Sequence, residues 1–483
     1  IYDRYLTTGM GRSIASVEAA PPTAGSFAHA ASAREYRVAR RGDAYVLRRE
    51  QPGVLEKAIH YVIGSGNHAR SYAHRSATGK LYELPLSWYG YWAMSPGYDR
   101  PDHAEFGREI GDACLFCHSA YPSAANRGAP QAIDCQRCHG PGEAHAARRG
   151  SVVNPARLGR DRQLDVCLAC HLESTSRTLP HAIRRYDRGA FSYRPGEPLA
   201  SFAVHFDHPA GAGHDDKFEI NHAAYRLMKS KCFERSALVC TTCHNPHDAS
   251  EKRWERACRS CHGAAHEASR TDCGGCHMPK RRTQDAVHVV MTDHWIRRAA
   301  SPATERIAEA HPVYRGPVAA LDPRAVEPLY LAAAQVKEFN NLTQGIPMLE
   351  RAIAAARPKE AGFYLDLAEA YWRAERREDA VRLYGEAIAR DPDLAAAHHG
   401  RAETLIAGGH VDRAIARLEP AIRRFPREAA LLNTLAVAYG RRGRYRDALS
   451  MSRRAIEADP DLAPAWVNLG ATLERLGDAR GAA

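Results

Sequence analysis

The chain has 483 residues, 45% of them hydrophobic, and its formal net charge is +11. This length predicts two to four domains with a conventional core, and no run of 18 apolar residues predicts a membrane-spanning helix. The basic residues are mostly scattered arginines, which favours a solvated basic surface over a nucleic-acid interface, and no nucleic-acid recognition motif occurs.

The first predicted region, residues 1–110, contains a small β region. Residues 34–92 are β-rich in pattern, and strand-like runs within Arg37–Leu47 flank a Gly42-Asp43 turn, which is typical of a hairpin. The apolar run Ile59–Ile63 predicts a further short strand. We expect a small sheet that packs on the next region and adds at most one or two ligands to its chemistry.

The second region, residues 111–298, is dominated by one motif, Cys-x-x-Cys-His. Two thiols separated by two residues lie on one helical turn, where both can add to the vinyl groups of a haem, and the next residue directs its imidazole at the iron. Twelve of the thirteen cysteines follow this pattern, and they are Cys114, Cys117, Cys135, Cys138, Cys167, Cys170, Cys240, Cys243, Cys258, Cys261, Cys273 and Cys276. The proximal iron ligands predicted from it are His118, His139, His171, His244, His262 and His277.

Paired cysteines also occur in three other kinds of site. A disulfide framework is the default for a cysteine-rich secreted chain, two Cys-x-x-Cys pairs can form a tetrahedral zinc cage, and one pair can act as a redox dithiol. None of these requires a His after the second Cys, whereas all six motifs have one. The pattern therefore favours six haems c, each with its iron. Because such attachment takes place outside the cytoplasm, we expect a periplasmic or extracellular protein.

The density of motifs between Cys114 and His277 has a structural consequence. Haems packed so closely would supply much of the core that side chains normally supply. We therefore expect little regular structure in this region, with a short helix at each attachment site. The frequent Pro and Gly residues agree with this expectation.

The distribution of histidines favours a second imidazole on most irons. Of 25 histidines, 21 lie between His29 and His294, which leaves fifteen for six distal positions once the proximal ligands are counted. We expect His145 and His247 each to reach a neighbouring haem rather than its own, and Met10 is an alternative thioether ligand. The distal candidates are His68, His145, His222, His247, His288 and His294, followed by His103, His208 and His266.

Two of these stretches resemble a known superfamily. The run Cys135–His145 resembles the multihaem cytochromes, which include the tetrahaem cytochromes of ammonia oxidation and the pentahaem nitrite reductases, and Cys273–Lys280 resembles their closing haem motif. More narrowly, the chain is similar to exported bacterial cytochromes that join such a haem domain to tetratricopeptide repeats. The segments that carry this similarity are Trp92–Asp99, Asn154–Arg157, Cys240–Asp248 and Met291–His294.

The resemblance implies electron transport through covalently bound haem. The Lys-ligated catalytic motif of the nitrite reductases is absent, since all six motifs end in His. This favours an electron-transfer protein over the alternative, an oxidoreductase acting on a small nitrogen or sulfur compound at a five-coordinate haem. In that family a haem motif usually precedes a segment like Ile1–Met10, so we expect a seventh motif upstream of this processed or truncated sequence.

The remaining sequence is predicted to be a linker, residues 299–326, and a repeat region, residues 327–483. A period of 34 residues with small residues at fixed positions predicts tetratricopeptide helix hairpins stacked into an α-solenoid, rather than an unrelated bundle. The last repeat stops within its second helix, so we expect the protein to continue. The repeated positions are Pro358, Pro392, Pro426 and Pro460, then Ala380, Ala414 and Ala448, then Gly409, Gly443 and Gly477.

The predicted fold class is mainly α with little regular structure: a multihaem cytochrome c domain with a small N-terminal β region, followed by the solenoid. We expect redox protein partners, further protein contacts through the repeats, and no nucleic acid. The haem domain either docks transiently as a monomeric or dimeric carrier or contacts copies of itself in an extracellular filament. The odd cysteine, Cys232, is expected to be buried and inert, with a disulfide to another chain or a role at a haem edge as alternatives.

Overall fold

The computed structural model has a β-rich N-terminal part, a central part of short helices and a C-terminal helical solenoid. Within the described residues, no helix is both long and apolar enough to cross a bilayer. His266 and most of the predicted linker lie outside the described residues. The residues described are 1–123, 129–176, 179–250, 253–262, 272–298, 314–478 and 481.

The N-terminal part begins with one helical turn, α1 (Tyr2–Tyr5), and continues in short antiparallel strands. The prediction of a β-rich region is confirmed, and the strands extend beyond both ends of the predicted stretch. They are β1 (Ile14–Ser16), β2 (Gly25–His29), β3 (Arg34–Arg41), β4 (Ala44–Gln51), β5 (Leu55–Ile59), β6 (Tyr61–Ile63), β7 (Arg70–Arg75), β8 (Leu81–Trp88), β9 (Trp92–Met94) and β10 (Arg108–Glu109).

These strands form two sheets. One has the order β1-β6-β7-β8-β10, with β9 beside β8, and the other has the order β2-β3-β4-β5. The predicted hairpin is confirmed as β3 and β4: Arg41 pairs with Ala44, and Gly42 between them has φ +59°, where the lack of a Cβ avoids a clash. A single hydrophobic cluster joins both sheets through Tyr36, Val38, Leu47, Tyr72, Leu84, Leu86 and Trp92.

The predicted strand Ile59–Ile63 is divided at His60. Residues up to Ile59 pair with β4 in one sheet, whereas Tyr61–Ile63 pairs with β1 and β7 in the other. The chain therefore turns a corner between the two sheets inside one apolar run.

The central part consists of short helices joined by irregular segments, as predicted. Each of the six motifs lies on or directly against a helix, and the longest of these is the helix that carries the third motif. The helices are α2 (Asp112–His118), α3 (Gln136–His139), α4 (Glu143–Ala146), α5 (Arg160–His171), α6 (Ala223–Met228), α7 (Lys231–Glu234), α8 (Cys240–Cys243), α9 (Trp254–His262) and α10 (Cys273–His277). The strands are β11 (Ala182–Arg184), β12 (Ala203–Asp207), β13 (Lys280–Arg282), β14 (Val290–Thr292) and β15 (Ala319–Ala320).

A side-chain core supports the first, third and fourth motifs. Phe116, Leu168 and Phe202 belong to one buried cluster, and Cys117 and Cys240 pack against it. The described end of the predicted linker joins this part of the molecule, because β15 pairs with β12. That segment is thus bound into a sheet rather than free.

The C-terminal part is a succession of antiparallel helix hairpins, as the period of 34 residues predicted. Ala380, Ala414 and Ala448 are fully buried where the two helices of a hairpin touch. Gly409 and Gly443 have φ of +79° and +74°, which explains why Gly recurs at the turn inside each hairpin. The helices are α11 (Pro328–Val336), α12 (Leu342–Ala356), α13 (Ala361–Arg373), α14 (Arg377–Arg390), α15 (Ala395–Ala407), α16 (Val411–Arg424), α17 (Ala429–Arg441), α18 (Tyr445–Ala458) and α19 (Ala463–Arg475).

The first two hairpins of the solenoid share a core with the central part. Phe206 on β12 and Phe363 on α13 belong to the same buried cluster. Tyr186 wedges between the two parts: its ring lies against Gly362, and its hydroxyl donates to the buried carboxylate of Asp366. Lys337 donates to the same carboxylate. The start of the solenoid is therefore packed into the rest of the chain.

The last described repeat boundary contacts the N-terminal sheets. Lys57 donates to Asp461, and the Tyr82 hydroxyl donates to Asp459 at 3.2 Å. Both carboxylates lie in the turn between α18 and α19, which these contacts hold against the strands. We call this contact the sheet–solenoid latch, and it consists of Lys57, His74, Lys80, Tyr82, Asp459 and Asp461.

Candidate functional site

The thiols of different motifs lie against one another in the central part. Cys117 of the first motif is in hydrogen-bond contact with Cys170 of the third, and Cys167 of the third is in contact with Cys240 of the fourth. Cys258 of the fifth motif likewise contacts the sixth through its first thiol. None of the thirteen cysteines, all of them within the described residues, forms a disulfide.

The ionisation of these groups suits covalent attachment and metal ligation. Burial raises the pKa of Cys138 to about 11, and the neighbouring thiol of Cys170 adds to the increase. Burial, followed by the effect of Cys273, raises the pKa of Cys258 to about 11. Burial also lowers the pKa of His118. At neutral pH this His is a neutral imidazole, which is the form that binds a metal.

His139 of the second motif faces His247, which follows the fourth motif. Their ring centres are 5.9 Å apart and the rings are inclined by only 11°. Two imidazoles that bind one metal ion from opposite sides, each with a metal–nitrogen distance of ~2 Å, have ring centres ~6 Å apart. Nδ1 of His139 donates to the carbonyl of Val153 at 2.7 Å, which leaves the lone pair on Nε2.

His244 of the fourth motif faces His294 in the same manner. Their ring centres are 6.1 Å apart and the rings are inclined by 30°. Nδ1 of His294 donates to the carbonyl of Thr292 at 3.0 Å, so the lone pair is again on Nε2. The two pairs are therefore built alike, although their members come from different segments.

A buried ion-pair network holds the backbone next to His294. Asp293 and Arg226 are both fully buried, and the guanidinium donates to the carboxylate through Nε at 2.9 Å and Nη2 at 2.5 Å. Arg281 donates to the same carboxylate at 3.0 Å. Removing one member of such a pair leaves an uncompensated buried charge. The network therefore fixes the segment that presents His294.

The proximal candidates of the first and third motifs lie beside this second pair. His171 is electrostatically coupled to His244, His118 and His294, so the four imidazoles form one group. His118, His171 and His244 keep accessible surface, yet desolvation lowers the pKa of each. Accessible surface combined with desolvation means that these rings face space enclosed by protein. This arrangement fits a flat group held by its edge and its metal.

The other predicted ligands are placed differently. His222 is fully buried, its Nδ1 accepts from the backbone N–H of Glu219, and its Nε2 donates to the carbonyl of Thr175, so neither nitrogen is available to iron in this arrangement. His288 lies between two tyrosines and accepts at Nδ1 from the hydroxyl of Tyr91 at 2.9 Å. His68, His145 and His262 are exposed, and Nδ1 of His277 donates to the carbonyl of Arg297 at 2.6 Å.

Sequence reasoning missed two histidines that share the character of the proximal group. His181 and His205 are near neighbours on paired backbone segments, and both keep accessible surface. Desolvation lowers the pKa of His205 to about 4, and the charge of His181 adds to the decrease. Neither residue lies near a motif in the sequence, and only the pairing of β11 with β12 brings them together.

A compact metal-ion cage is not part of this site. Among the residues that the structure describes, no three His, Cys, Asp or Glu side chains converge as metal-ion ligands do. A haem iron requires only two axial ligands from the protein. The His139–His247 and His244–His294 pairs meet that smaller requirement.

The comparisons with known proteins concern the repeats. Tetratricopeptide repeat family models match residues 372–438 and residues 337–395 and 433–483. No curated protein matches the chain.

The similar solved structures cover about a third of this chain. They include a crystal structure of MamA (19% identity, TM-score 0.29, 31% of this chain and 87% of that one). MamA 41-end from Desulfovibrio magneticus RS-1 has 15% identity and a TM-score of 0.30, with 32% and 90% covered. YrrB, a TPR protein with an unusual peptide-binding site, has 18% identity and a TM-score of 0.28, with 32% and 78% covered. The helix hairpins and the family matches together identify residues 337–483 as tetratricopeptide repeats.

Proposed function

We propose that this protein transfers electrons outside the cytoplasm through six covalently attached haems c, and that its repeats contact a protein partner. The observation that carries the proposal is the pairing of two motif histidines, His139 and His244, with imidazoles of other segments at 5.9 and 6.1 Å. A ligand bound between the rings accounts for the similar spacing of both pairs and for the lone pair left on Nε2 of one member.

The chain's own residues would hold the group in three ways. The two cysteines of each motif form thioether bonds to its edge, the motif His binds the iron on one face, and a second imidazole binds it on the other. The carbonyls of Val153 and Thr292 fix the orientation of His139 and His294 and raise their basicity as ligands. When bound, a haem with two axial imidazoles supplies a one-electron couple with no open coordination position.

Contacts between motifs support transfer along the array. The thiol contacts join the first motif to the third, the third to the fourth and the fifth to the sixth. Groups attached at touching thiols are neighbours, so an electron would need to cross little protein between them.

The repeats contribute a surface rather than a redox group. No cysteine occurs in residues 327–483, and stacked helix hairpins of this kind offer extended surfaces to other proteins. The half-exposed Trp372 on α13 is the kind of large side chain that is enriched at protein interfaces.

The test is the mass and spectrum of the full chain matured in a host that attaches c-type haem. We expect a mass increase of six haems and a low-spin spectrum. Replacing Cys258 and Cys261 together by Ala should remove one haem and leave the others. A bare or zinc-bearing polypeptide would contradict the proposal, and a high-spin ferric band would move it towards an oxidoreductase with an open iron.

A further inference from the structure

Arg137 lies inside the second motif, Cys135–His139, and its side chain is turned into the protein. The residue is 7% exposed, and its guanidinium carbon lies 4.4 Å from the ring centre of Phe116 and 4.6 Å from that of Tyr121. The ring of Phe191 is 5.7 Å away. Three aromatic side chains therefore enclose a positive charge.

The hydrogen bonds of this guanidinium are incomplete. Nη2 donates to the carbonyl of Phe116 at 2.6 Å. Nη1 of Arg137 is buried and has no hydrogen-bond partner among the described residues. Aromatic faces attract a cation, but they do not replace the water that a buried N–H has lost. A buried and unpaired charge of this kind calls for an anion.

Three attachment motifs meet at this guanidinium. The Phe116 carbonyl that accepts from Arg137 also accepts from the thiol of Cys170 at 3.8 Å. Phe116 precedes Cys117, which itself contacts Cys170. The unpaired donor therefore lies where the edges of groups attached at the first three motifs would come together.

We propose that Nη1 of Arg137 is a carboxylate-binding site that takes a propionate of a haem attached at one of the first three motifs. The inference rests on the proposed function, because the carboxylate belongs to the haem. Arg suits the role, since its planar fork matches a carboxylate and its charge persists when buried. A free carboxylate from solution shares this chemistry, and the experiment below separates the two sources.

The site has a measurable electrical consequence. Reduction adds a negative charge to the haem, and a nearby buried cation favours the reduced form because little solvent screens it. Removing the charge of Arg137 should therefore lower the reduction potential of the haem whose propionate it binds.

The experiment uses full-length haem-loaded protein with Arg137→Gln, which keeps a donor for the Phe116 carbonyl but removes the charge. We expect six haems by intact mass and a reductive titration in which one component moves to lower potential. The oxidised-to-reduced ratio of that component should rise at least tenfold at fixed potential, which is ~59 mV for one electron. Arg137→Lys, which keeps the charge, should move it less.

Arg160→Gln is the matched control. Arg160 also stacks on an aromatic ring, that of Phe233 at 4.5 Å, but Nε and Nη2 donate to the carbonyls of Leu238 and Phe233. Its loss should leave the titration nearly unchanged. Arg137→Gln with six haems and an unaltered titration would overturn the inference.

A second measurement needs no variant. An experimental structure of the haem-loaded protein should show a propionate oxygen within hydrogen-bond distance of Nη1. A free anion there, or no carboxylate, would overturn the inference even if Arg137→Gln fails to fold. Loss of all haem from the unaltered chain would instead contradict the proposed function, so the two failures are distinguishable.

Discussion

At the scale of single residues, backbone carbonyls decide which ring nitrogen of a histidine is available. Nδ1 of His139, His277 and His294 donates to a carbonyl in each case. A carbonyl can only accept, so the proton is fixed on Nδ1 and the lone pair on Nε2. The contrast is His222, whose two nitrogens are both engaged by backbone.

The two facing imidazoles provide the first residue-scale prediction. His247→Ala and His294→Ala should each convert one haem from low to high spin, because the iron loses one axial ligand while the thioether bonds keep the haem. Visible absorption and electron paramagnetic resonance of the oxidised protein measure this. His399→Ala in the repeats is the control and should leave the spectrum unchanged. Low-spin spectra in both haem-domain variants would show that these rings are not ligands.

The sequence identified the attachment residues more readily than their partners. Two thiols and an imidazole on one helical turn are a local pattern, visible in Cys135, Cys138 and His139 without any fold. The facing of His247 with His139 joins segments about a hundred residues apart and depends on tertiary packing. The unpaired donor of Arg137 depends in addition on the three aromatic rings that enclose it.

At the scale of elements, close approach at Gly362 sets how the solenoid begins. A Cβ at Gly362 would lie 2.4 Å from the ring of Tyr186. The ring also packs edge-on against Phe363, with ring centres 4.7 Å apart. Helix α13 can therefore pack on the central part only because its second residue has no side chain.

Two glycine substitutions test this contact. Gly362→Ala should lower the free energy of unfolding by ~1–3 kcal/mol, since the ring of Tyr186 must move out of a well-packed place. Gly440→Ala in α17 is the matched control, because a Cβ there meets nothing within 4 Å. It should raise stability by ~0.5–1 kcal/mol through helix propensity. Chemical denaturation measures both, and equal effects of the two substitutions would contradict the wedge.

Elements were predictable where their signal was local. The Gly42-Asp43 turn and the period of 34 residues predicted a hairpin and a solenoid that the structure contains. The division of Ile59–Ile63 was not predictable, since an apolar run does not specify which of two sheets each half joins. The pairing of β15 with β12 likewise depends on a partner far away in the sequence.

At the scale of the whole molecule, the solenoid is fixed at two places. Its first hairpins share a core with the central part, and the latch holds its last described turn to the N-terminal sheets. Removing residues 327–483 would therefore uncover Phe206 and its neighbours as well as delete a binding surface. Point changes in the latch separate the two effects.

Charge reversal tests the latch. Lys57→Glu and Asp461→Lys should each lower the free energy of unfolding by ~1–3 kcal/mol, the range for hydrogen bonds to charged groups, because the two side chains are only 22% and 12% exposed. The double variant should recover much of the loss, and salt should reduce the differences. Additive losses in the double variant, measured by denaturation at several salt concentrations, would show that the pair does not interact.

The fixed far end of the solenoid also limits its elasticity. A stack of helix hairpins anchored at one end can open or tighten its superhelix at little expense, because each repeat touches only its neighbours. Anchored at both ends, it has one preferred curvature, and a partner that requires another must first release Asp459 and Asp461. Each ~1.4 kcal/mol spent on that release weakens such a partner tenfold. The latch thus acts as a filter that favours partners shaped to the curvature already present.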